Sequence, residues 1–432
     1  MKNIEETILI KGGRILSLDE NKSIYDPGYI LIKGDTILEC GPLDKLDDTV
    51  INNSKIIDLS NRVIMPGLIN THTHTCMSIL RGVAEDVPAG EWLVDKIWPQ
   101  EAKLTGEDYY WSSRLGCLEL IRNGVTTIAD RGPFAEHVSK AIDESGIRAV
   151  LSLTITDKLG IGGLNSQLKL AREWEGSSRV TFGLGPHATD TCSTQLLKEI
   201  KKASVENNMK VFIHVAQSEM ENEEIYKRGF NGAVEYLYNI GFLDSNVIAA
   251  HCIYISDNEI EIFGKSGTWI AHCPSSNIKI EARTSPIVEL YKKKANITIA
   301  TDAAACNNRM DLFEEMKIAA LANKLVSNDP RNMSLEELLP KVTYNSACAL
   351  GMENIIGSIK PGKKADIIAI DMDKPHLQPW NNDLAQLVYS VRGQDVSEVI
   401  IDGVLRLKNG EFVDEGDKEV IEEVKRRAKK LF

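Results

Sequence analysis

The feature that most constrains the fold is an alternation of apolar, strand-like runs with helix-like stretches along the middle of the chain. The runs are IMPGLINTH (64–72), GVTTIAD (124–130), IRAVLSLTI (147–155), VTFGLGPH (180–187), KVFIHVA (210–216), NVIAAHC (246–252), GTWIAHC (267–273) and NITIATD (296–302). Repeated strand–helix units predict an α/β protein whose eight parallel strands close into a (β/α)8 TIM-like barrel. An open doubly wound sheet is the alternative, but no G-x-G-x-x-G follows the first run.

Both ends of the chain carry a different pattern, made of short β-branched runs broken by Gly, Asp and Asn. It occurs in residues 7–64, with TILIKGGRILSL and YILIKGDTILECG, and in residues 357–414, with SEVIIDGVLRL. Such runs are typical of short antiparallel strands. We therefore expect residues 1–61 and 357–432 to form one small composite β-sandwich domain, and residues 62–356 to form the barrel. The sign-alternating KEVIEEVKRRAKK stretch predicts a solvated final helix.

Bulk composition excludes several classes of protein. The net charge is −12, whereas a nucleic-acid binder needs clustered Lys and Arg. Charges scattered through MKNIEETILIKGGRILSLDE are not those of a signal peptide, and the most apolar window, NVIAAHCIYI, is too short to span a bilayer. The eight cysteines show no C-x-x-C spacing, which is typical of reduced core cysteines. We expect a cytoplasmic protein with no nucleic-acid or membrane partner, assembled as a homo-oligomer.

Polar residues that can bind metal ions stand at the ends of most of the eight runs. They are His72, His74, His187, His214, His251, His272 and Asp302. Six of the eight histidines in the chain belong to this set. Because the carboxyl ends of barrel strands meet at one mouth, where active sites form, these side chains should converge. Isolated core histidines would not gather at strand ends in this way, so the pattern predicts a functional site.

His72 and His74 are separated by a single threonine. Residues i and i+2 of a strand point to the same face, so both imidazoles should project into the barrel mouth. His214 and Asp302, arriving from other strands, can complete a four-ligand site. Three imidazole nitrogens and one carboxylate suit one Zn²⁺ ion best, with Fe²⁺ or Mn²⁺ as alternatives. A divalent cation with an open position lowers the pKa of bound water to about 7, which predicts hydrolysis.

The ordered motifs of the chain resemble those of the amidohydrolase superfamily. They are MPGLINTHTH, LRGVAED, EWLVDKIWPQEAKLT, GPHATD, AAHC, HCPSSNIKI, TDAAACNN followed by DLFEEM, and KPGKKADIIAID. Within the superfamily, the chain is similar to the branch of methylthioadenosine/S-adenosylhomocysteine deaminases, guanine deaminases and triazine hydrolases. The resemblance covers nearly the whole chain. It implies a metal-dependent barrel hydrolase that acts on a small heterocyclic substrate.

The resemblance also implies a role for each site residue. The metal ligands would be His72, His74, His214 and Asp302. Asp302 would also take a proton from the attacking water, while His251 would orient that water and stabilise the developing oxyanion. Glu101 in WPQEAK would hold ribose hydroxyls, and His187 in GPHATD would contact the sugar side of the substrate.

One departure from the family concerns catalysis. The family's deaminases carry H-x-x-E after the fifth strand, and that Glu gives a proton to the substrate ring. Here the run is HVAQ, which ends at Gln217. A glutamine donates a hydrogen bond but cannot deliver a proton, and losing the acid would cost about 10²–10⁴ in rate. Either Glu219 or Glu221 serves as the acid, or the reaction expels a weakly basic group such as chloride.

Further departures concern the substrate. S-adenosylhomocysteine deaminases are expected to carry arginines where this chain has Leu153 and Leu164, and those arginines would grip the amino-acid carboxylate. Their replacement argues against S-adenosylhomocysteine as the substrate. Conversely, Arg283 replaces a glycine of the family pattern near the expected pocket. It either binds an anionic substrate or pairs with Glu281 on the surface.

The sequence therefore predicts an aminohydrolase that deaminates an amino-substituted purine or nucleoside-like heterocycle and releases ammonia. One alternative is hydrolytic dechlorination or removal of another ring substituent. A second is a catalytically silent relative that binds a nucleoside-like ligand. Gln217 keeps both alternatives open, whereas the retained set of metal ligands argues against the silent relative.

Overall fold

The computed structural model of the chain describes residues 7–414 and 416–431. Its N-terminal strands are β1 (Thr7–Lys11), β2 (Arg14–Leu16), β3 (Ile24–Tyr25), β4 (Gly28–Lys33), β5 (Thr36–Pro42), β6 (Lys55–Asp58) and β7 (Arg62–Pro66). The central strands are β8 (Leu68–Thr73), β9 (Val125–Gly132), β10 (Arg148–Ile155), β11 (Val180–Phe182), β12 (Gly185–Pro186), β13 (Val211–Val215), β14 (Val247–His251), β15 (Trp269–His272) and β16 (Asn296–Ile299). The last strands are β17 (Ile367–Asp371), β18 (Val396–Ile401), β19 (Val404–Lys408) and β20 (Glu411–Phe412).

Helices follow most central strands, and others lie in the two end segments. They are α1 (Asp48–Asn52), α2 (Ala89–Glu91), α3 (Trp98–Glu101), α4 (Gly106–Arg122), α5 (Ala135–Ser145), α6 (Leu164–Glu173), α7 (Thr194–Asn207), α8 (Glu219–Lys227), α9 (Ala233–Asn239), α10 (Asp257–Ser266), α11 (Pro274–Glu281), α12 (Ile287–Lys292), α13 (Ala304–Asn307), α14 (Leu312–Ser327), α15 (Leu335–Leu338), α16 (Tyr344–Leu350), α17 (Asp383–Ala385) and α18 (Gly416–Leu431). Short 3-10 segments are Leu43–Lys45, Thr75–Leu80, Leu339–Val342, Pro375–Leu377 and Gly393–Asp395, and π-helical segments are Trp92–Ile97 and Gln386–Ser390.

The central strands form a closed parallel barrel. β8 to β11 pair in one parallel set, with β12 beside β10, and β13 to β16 pair in another. Parallel bridges between Leu184 and Val211 and between Ala188 and His214 join the two sets. The ring closes where the Asp302 N–H donates to the His72 carbonyl at 3.0 Å. The predicted (β/α)8 barrel is confirmed, with its fourth strand divided into β11 and β12.

An apolar layer fills the barrel beneath the polar strand ends. Its members from the strands include Ile69, Ala129, Phe212 and Ile248, all buried. Ala129 and Phe212 precede polar strand-end residues by two positions, so the alternation of a strand brings both kinds of side chain to the barrel interior. The apolar layer therefore supports the polar groups from below and keeps water away from their stems.

Strands from both chain ends share one seven-stranded sheet, in the order β20–β19–β18–β17–β7–β2–β3. A second sheet has the order β5–β4–β1–β6. Short antiparallel strands were predicted, and β1 with β4 and β4 with β5 pair in this way. By contrast, β1 with β6 and β2 with β7 pair in parallel, because long connections, not hairpin turns, separate them. The composite domain over 1–61 and 357–432 stays a prediction. Its residues 1–6, 415 and 432 lie outside the described residues.

The predicted final helix is α18, and it is less solvated than its charges suggested. Val420 and Val424 are buried, and the Arg427 guanidinium contacts Asp108 of α4 at 2.8 Å. Within residues 7–414 and 416–431, helices that combine the length and the apolar character needed to cross a bilayer are absent.

Candidate active site

The polar strand ends converge on one cavity of about 550 Å³ at the carboxyl mouth of the barrel. His74, His214, His251 and Asp302 line this cavity. His72 is only 3% exposed, and its ring centroid lies 5.0 Å from those of His74 and His214. The structure thus brings together the side chains that the barrel prediction placed at one mouth, except that of His272.

Potential cation ligands form two overlapping groups, His72 with His74 and His214, and His72 with His251 and Asp302. His72 Nε2 lies 3.5 Å and His74 Nε2 3.6 Å from Asp302 Oδ1. Ligands held about 2.1 Å from a tetrahedral ion lie about 3.4 Å apart. Ligand atoms of each group lie within 4.8 Å of one another, and the buried His72 Nε2 has no hydrogen-bond partner among the described residues. These residues fit a divalent cation.

Burial sets the charges of this cluster. Desolvation lowers the pKa of His74 and of His214 well below the usual histidine range, so both rings are neutral at pH 7, as metal ligation requires. For Asp302, burial opposes ionisation, but interactions with His72 and His251 hold the pKa of its carboxyl well below the usual range. His74 and His214 therefore offer neutral nitrogens, and Asp302 offers an anionic carboxylate.

The start of α11 orients Asp302 and His251. The Ser276 hydroxyl donates to Asp302 Oδ2 at 2.7 Å, and the amide oxygen of Asn277 lies 2.9 Å from His251 Nδ1. Since an amide oxygen only accepts, His251 Nδ1 carries the proton and Nε2 keeps its lone pair. Helix α11 follows directly after β15, so the HCPSSN motif delivers both partners to the cavity.

Backbone kinks at the strand ends turn two of these side chains inward. Ala250 pairs in register with His214, so strict alternation would point His251 away from the barrel interior. His251 has φ of 72° and Asp302 has φ of 61°, left-handed values that are uncommon outside glycine and cluster at functional sites. His272 also ends a strand but does not line the cavity, because it keeps the alternation that His251 breaks.

Arg131 contacts two of the histidines and was missed from the sequence. It is 2% exposed; its Nη1 lies 3.4 Å from His214 Nδ1, and its carbonyl oxygen lies 3.0 Å from His74 Nδ1. The predicted run stopped at Asp130, whose carboxylate instead accepts hydrogen bonds from the Thr75 N–H and hydroxyl at 2.7 and 2.8 Å. Extending the run by one residue would have included Arg131.

Gln217 lines the cavity, whereas the two acids proposed to substitute for it do not. Glu221 is wholly buried behind the wall, where its carboxylate accepts a hydrogen bond from the Gln217 N–H at 2.9 Å. Glu219 lies on the surface, 3.8 Å from the Arg283 guanidinium. Each of these carboxylates therefore has a role other than contact with a ligand in the cavity.

Arg283 lies away from the cavity and does not pair with Glu281. Its side chain is 58% exposed and its guanidinium lies 5.1 Å from the centroid of the Tyr254 ring. Glu281 instead accepts a hydrogen bond from the Tyr254 hydroxyl. The physical reason is that α11 ends at Glu281 and Ala282 adopts φ of 51°, which turns the following residue outward.

Glu101 and His187 both line the cavity, as does Asp190, which was missed from the sequence. Burial raises the pKa of Glu101 to about 7 and lowers the pKa of His187 to about 3. The His187 ring lies 5.2 Å from that of His214, and its Nδ1 is 2.8 Å from the Thr191 hydroxyl. Asp190 ends the GPHATD motif, three residues after the predicted strand that ends at His187. A carboxylate so close to the end of a barrel strand could have been predicted as a site residue.

Comparisons with known proteins agree with this geometry. Residues 63–406 match the amidohydrolase family. A 5'-deoxyadenosine deaminase of Methanosarcina mazei is 38% identical, and a 5-methylthioadenosine/S-adenosylhomocysteine deaminase of Pelotomaculum thermopropionicum is 37% identical; each alignment covers 98% of both chains. The structure of a zinc-bound adenosine deaminase from Xanthomonas campestris has a TM-score of 0.93 at 26% identity, with 98% of both chains covered.

Proposed function

The chain belongs to the amidohydrolase family, as its motifs predicted, and from this premise we propose that it deaminates an adenosine-like nucleoside by metal-dependent hydrolysis. The observation that carries the proposal is the group His72, His74 and His214, with the Asp302 carboxylate 3.5 and 3.6 Å from the first two, beside a cavity of about 550 Å³, a volume typical of small-molecule sites. The names of its relatives support the same reaction. The products are ammonia and the corresponding oxo-heterocycle.

The proposed cation ligands are His72, His74, His214 and Asp302. Zn²⁺ is the proposed ion, because three nitrogens and one carboxylate suit it and the related adenosine deaminase contains zinc. When bound, the ion supplies Lewis-acid activation of water. Metal analysis of the purified protein distinguishes Zn²⁺ from Fe²⁺ and Mn²⁺.

Asp302 and His251 are proposed to handle the attacking water. The Asp302 carboxylate is anionic and can accept a proton from that water. His251 Nε2, with its free lone pair, lies 4.0 Å from Asp302 Oδ2. Burial lowers the pKa of His251, so the ring stays neutral and can accept a hydrogen bond from the water, which holds it for attack on the ring carbon.

The wall of the cavity favours a nucleoside whose 5' end is uncharged. Glu101 and His187 are proposed to hold the ribose. The described cavity-lining residues include no lysine or arginine, and neither Leu153 nor Leu164 lines the cavity. The apolar members of the wall include Trp92, Leu93, Val94, Leu159 and Ile161.

An ammonia-release screen tests this function. We expect turnover of 5'-deoxyadenosine and methylthioadenosine, with kcat/KM about 10²-fold or more above that for S-adenosylhomocysteine, because a buried carboxylate without a partner is costly. Equal kcat/KM for the charged and uncharged substrates would contradict the proposed 5' specificity. Ammonia release from none of the aminopurine nucleosides would contradict the function itself.

Gln217 in the cavity wall favours one second candidate, the hydrolysis of a ring chloride or another weakly basic substituent. The same screen, extended to chloro- and aminotriazines, distinguishes it from deamination. A silent nucleoside-binding relative would bind these compounds without turnover. The homo-oligomer and the cytoplasmic location stay predictions, the first of which light scattering tests.

A further inference from the structure

Deamination needs a proton donor for the substrate ring, and Gln217 cannot provide one. The described carboxyl groups that line the cavity belong to Glu101, Asp190, Glu281 and Asp302. Asp302 belongs to the cation site, and Glu281 accepts a hydrogen bond from Tyr254. Glu101 lies on the wall that carries Cys76 and Tyr109, whose pKa values its charge affects. Asp190 remains, and its buried Oδ1 has no hydrogen-bond partner among the described residues.

The backbone brings Asp190 beside Gln217. Ala188 forms a parallel bridge with His214, so the two segments run onward in the same direction from neighbouring strand ends. They reach the cavity wall at Asp190 and at Gln217, both of which line it. Glu221 lies between the two segments, because its carboxylate accepts hydrogen bonds from the Thr189 hydroxyl and from the Gln217 N–H.

We propose that the Asp190 carboxyl group is the proton donor that replaces the missing glutamate at position 217. This inference rests on the proposed deamination. The proposed proton donor lies outside the cation site. Neither Glu219 nor Glu221 can take its place, because neither lines the cavity.

The surroundings of the Asp190 carboxyl group differ from those of Glu221. Both Glu221 oxygens accept hydrogen bonds, one from Thr189 and one from Gln217, a pattern that favours the anion. Asp190 Oδ1 is buried and has no hydrogen-bond partner among the described residues. Burial raises the pKa of Glu221 to about 8 in spite of these hydrogen bonds. Burial also raises the pKa of Asp190, against hydrogen bonds from the N–H groups of Asp190 and Thr191. The buried oxygen without a partner and this desolvation both favour the protonated form of the Asp190 carboxyl group.

Two cations also face this pair. The Arg228 guanidinium donates to the carbonyl oxygens of Thr189 and Asp190 at 2.9 and 3.1 Å, and the charge of Lys158, an exposed residue, also acts on Asp190. Both lower the pKa of Asp190, but burial has the larger effect and opposes them. The Arg228 hydrogen bonds go to the backbone, so the Asp190 side chain stays free to donate into the cavity.

The proposed proton transfers balance. As the water oxygen bonds to the ring carbon, one water proton goes to Asp302, and the ring nitrogen takes the proton of Asp190. The proton on Asp302 then passes to the amino group, the carbon–nitrogen bond breaks, and ammonia leaves with the bonding electron pair. The new hydroxyl group loses its proton to the Asp190 carboxylate, which leaves the oxo product and restores the donor.

The test combines single and double variants in one ammonia assay. Asp190→Asn should lower kcat about 10²–10³-fold with KM and metal content unchanged, and Gln217→Glu in that background should restore kcat to within about tenfold of wild type. Gln217→Glu alone should change kcat less than about threefold, because Asp190 already serves. The control Glu219→Gln, on the surface, should leave kcat unchanged.

In infrared difference spectra at pH 7, wild type minus Asp190→Asn should show one protonated carboxyl group.

Several results would overturn the proposal. One is an Asp190→Asn variant with wild-type kcat. Another is a folded, metal-loaded Asp190→Asn variant that Gln217→Glu fails to rescue. A wild type that releases no ammonia overturns the proposed function, and the donor role with it, even where the spectra show the protonated carboxyl group.

Discussion

Replacing Asp302 with asparagine is expected to lower kcat/KM for nucleoside deamination by at least about 10⁴-fold. Asparagine keeps the size of the side chain but removes the anionic oxygens next to His72 and His74, at 3.5 and 3.6 Å. It therefore removes a cation ligand and the proton acceptor for the attacking water at once. The bound metal should fall below about one tenth of the wild-type content, as measured by elemental analysis.

A matched control separates this effect from misfolding. Asp329→Asn, on the surface beside Arg331, should leave turnover and metal content unchanged. Circular dichroism should show the Asp302→Asn variant folded, because the Ala303 N–H can still donate to an amide oxygen in the place of Oδ1, and the Ser276 hydroxyl can accept from an amide N–H in the place of Oδ2. A folded Asp302→Asn variant that keeps its metal and more than about one tenth of wild-type turnover would remove Asp302 from both roles.

Replacing Arg148 with alanine is expected to destabilise the protein by about 3–5 kcal/mol. The Arg148 guanidinium, on barrel strand β10, contacts Asp366 at 2.9 Å and Asp402 at 2.7 Å. The side chains of both aspartates are less than 10% exposed. The variant leaves two buried carboxylates without their counterion. These contacts join the barrel to the sheet built from both chain ends, so their loss should also loosen the proposed composite domain.

Urea unfolding followed by circular dichroism measures this effect. The control Arg331→Ala removes a guanidinium whose side chain is 89% exposed, and it should leave the unfolding midpoint unchanged. An Arg148→Ala variant within about 1 kcal/mol of wild type would show that this buried cluster contributes little to joining the two parts.

The barrel and most of its polar mouth could be predicted because their signals are local. Each strand is recognisable in the sequence as a short apolar run, and the two-residue period of a strand places His72 and His74 on one face. The end sheets were only partly predictable. The parallel pairing of β1 with β6 is a contact between distant segments. The residues of a strand do not indicate which other strand it will pair with.

The parts of the site that the sequence missed depend on single backbone angles and on segments that meet only in the folded chain. The left-handed φ of Ala282 sends Arg283 to the surface, and that angle is not a property of the residue type. Glu221 was a candidate proton donor because it follows Gln217 in the same loop. Its hydrogen bonds with Thr189 and Gln217 instead hold it behind the cavity wall. Asp190 was overlooked because its relation to Gln217 arises from the pairing of Ala188 with His214.

Ammonia release from 5'-deoxyadenosine by metal-stripped protein, titrated with Zn²⁺, tests most directly whether the histidine–aspartate cluster is a hydrolytic metal site. The stripped protein should retain less than about 1% of its activity, and activity should return in proportion to bound Zn²⁺ until about one ion is bound per chain. His72→Ala should bind no ion at the same free Zn²⁺ concentration. Full activity of the stripped protein, or no ammonia at any Zn²⁺ occupancy, would contradict the assignment.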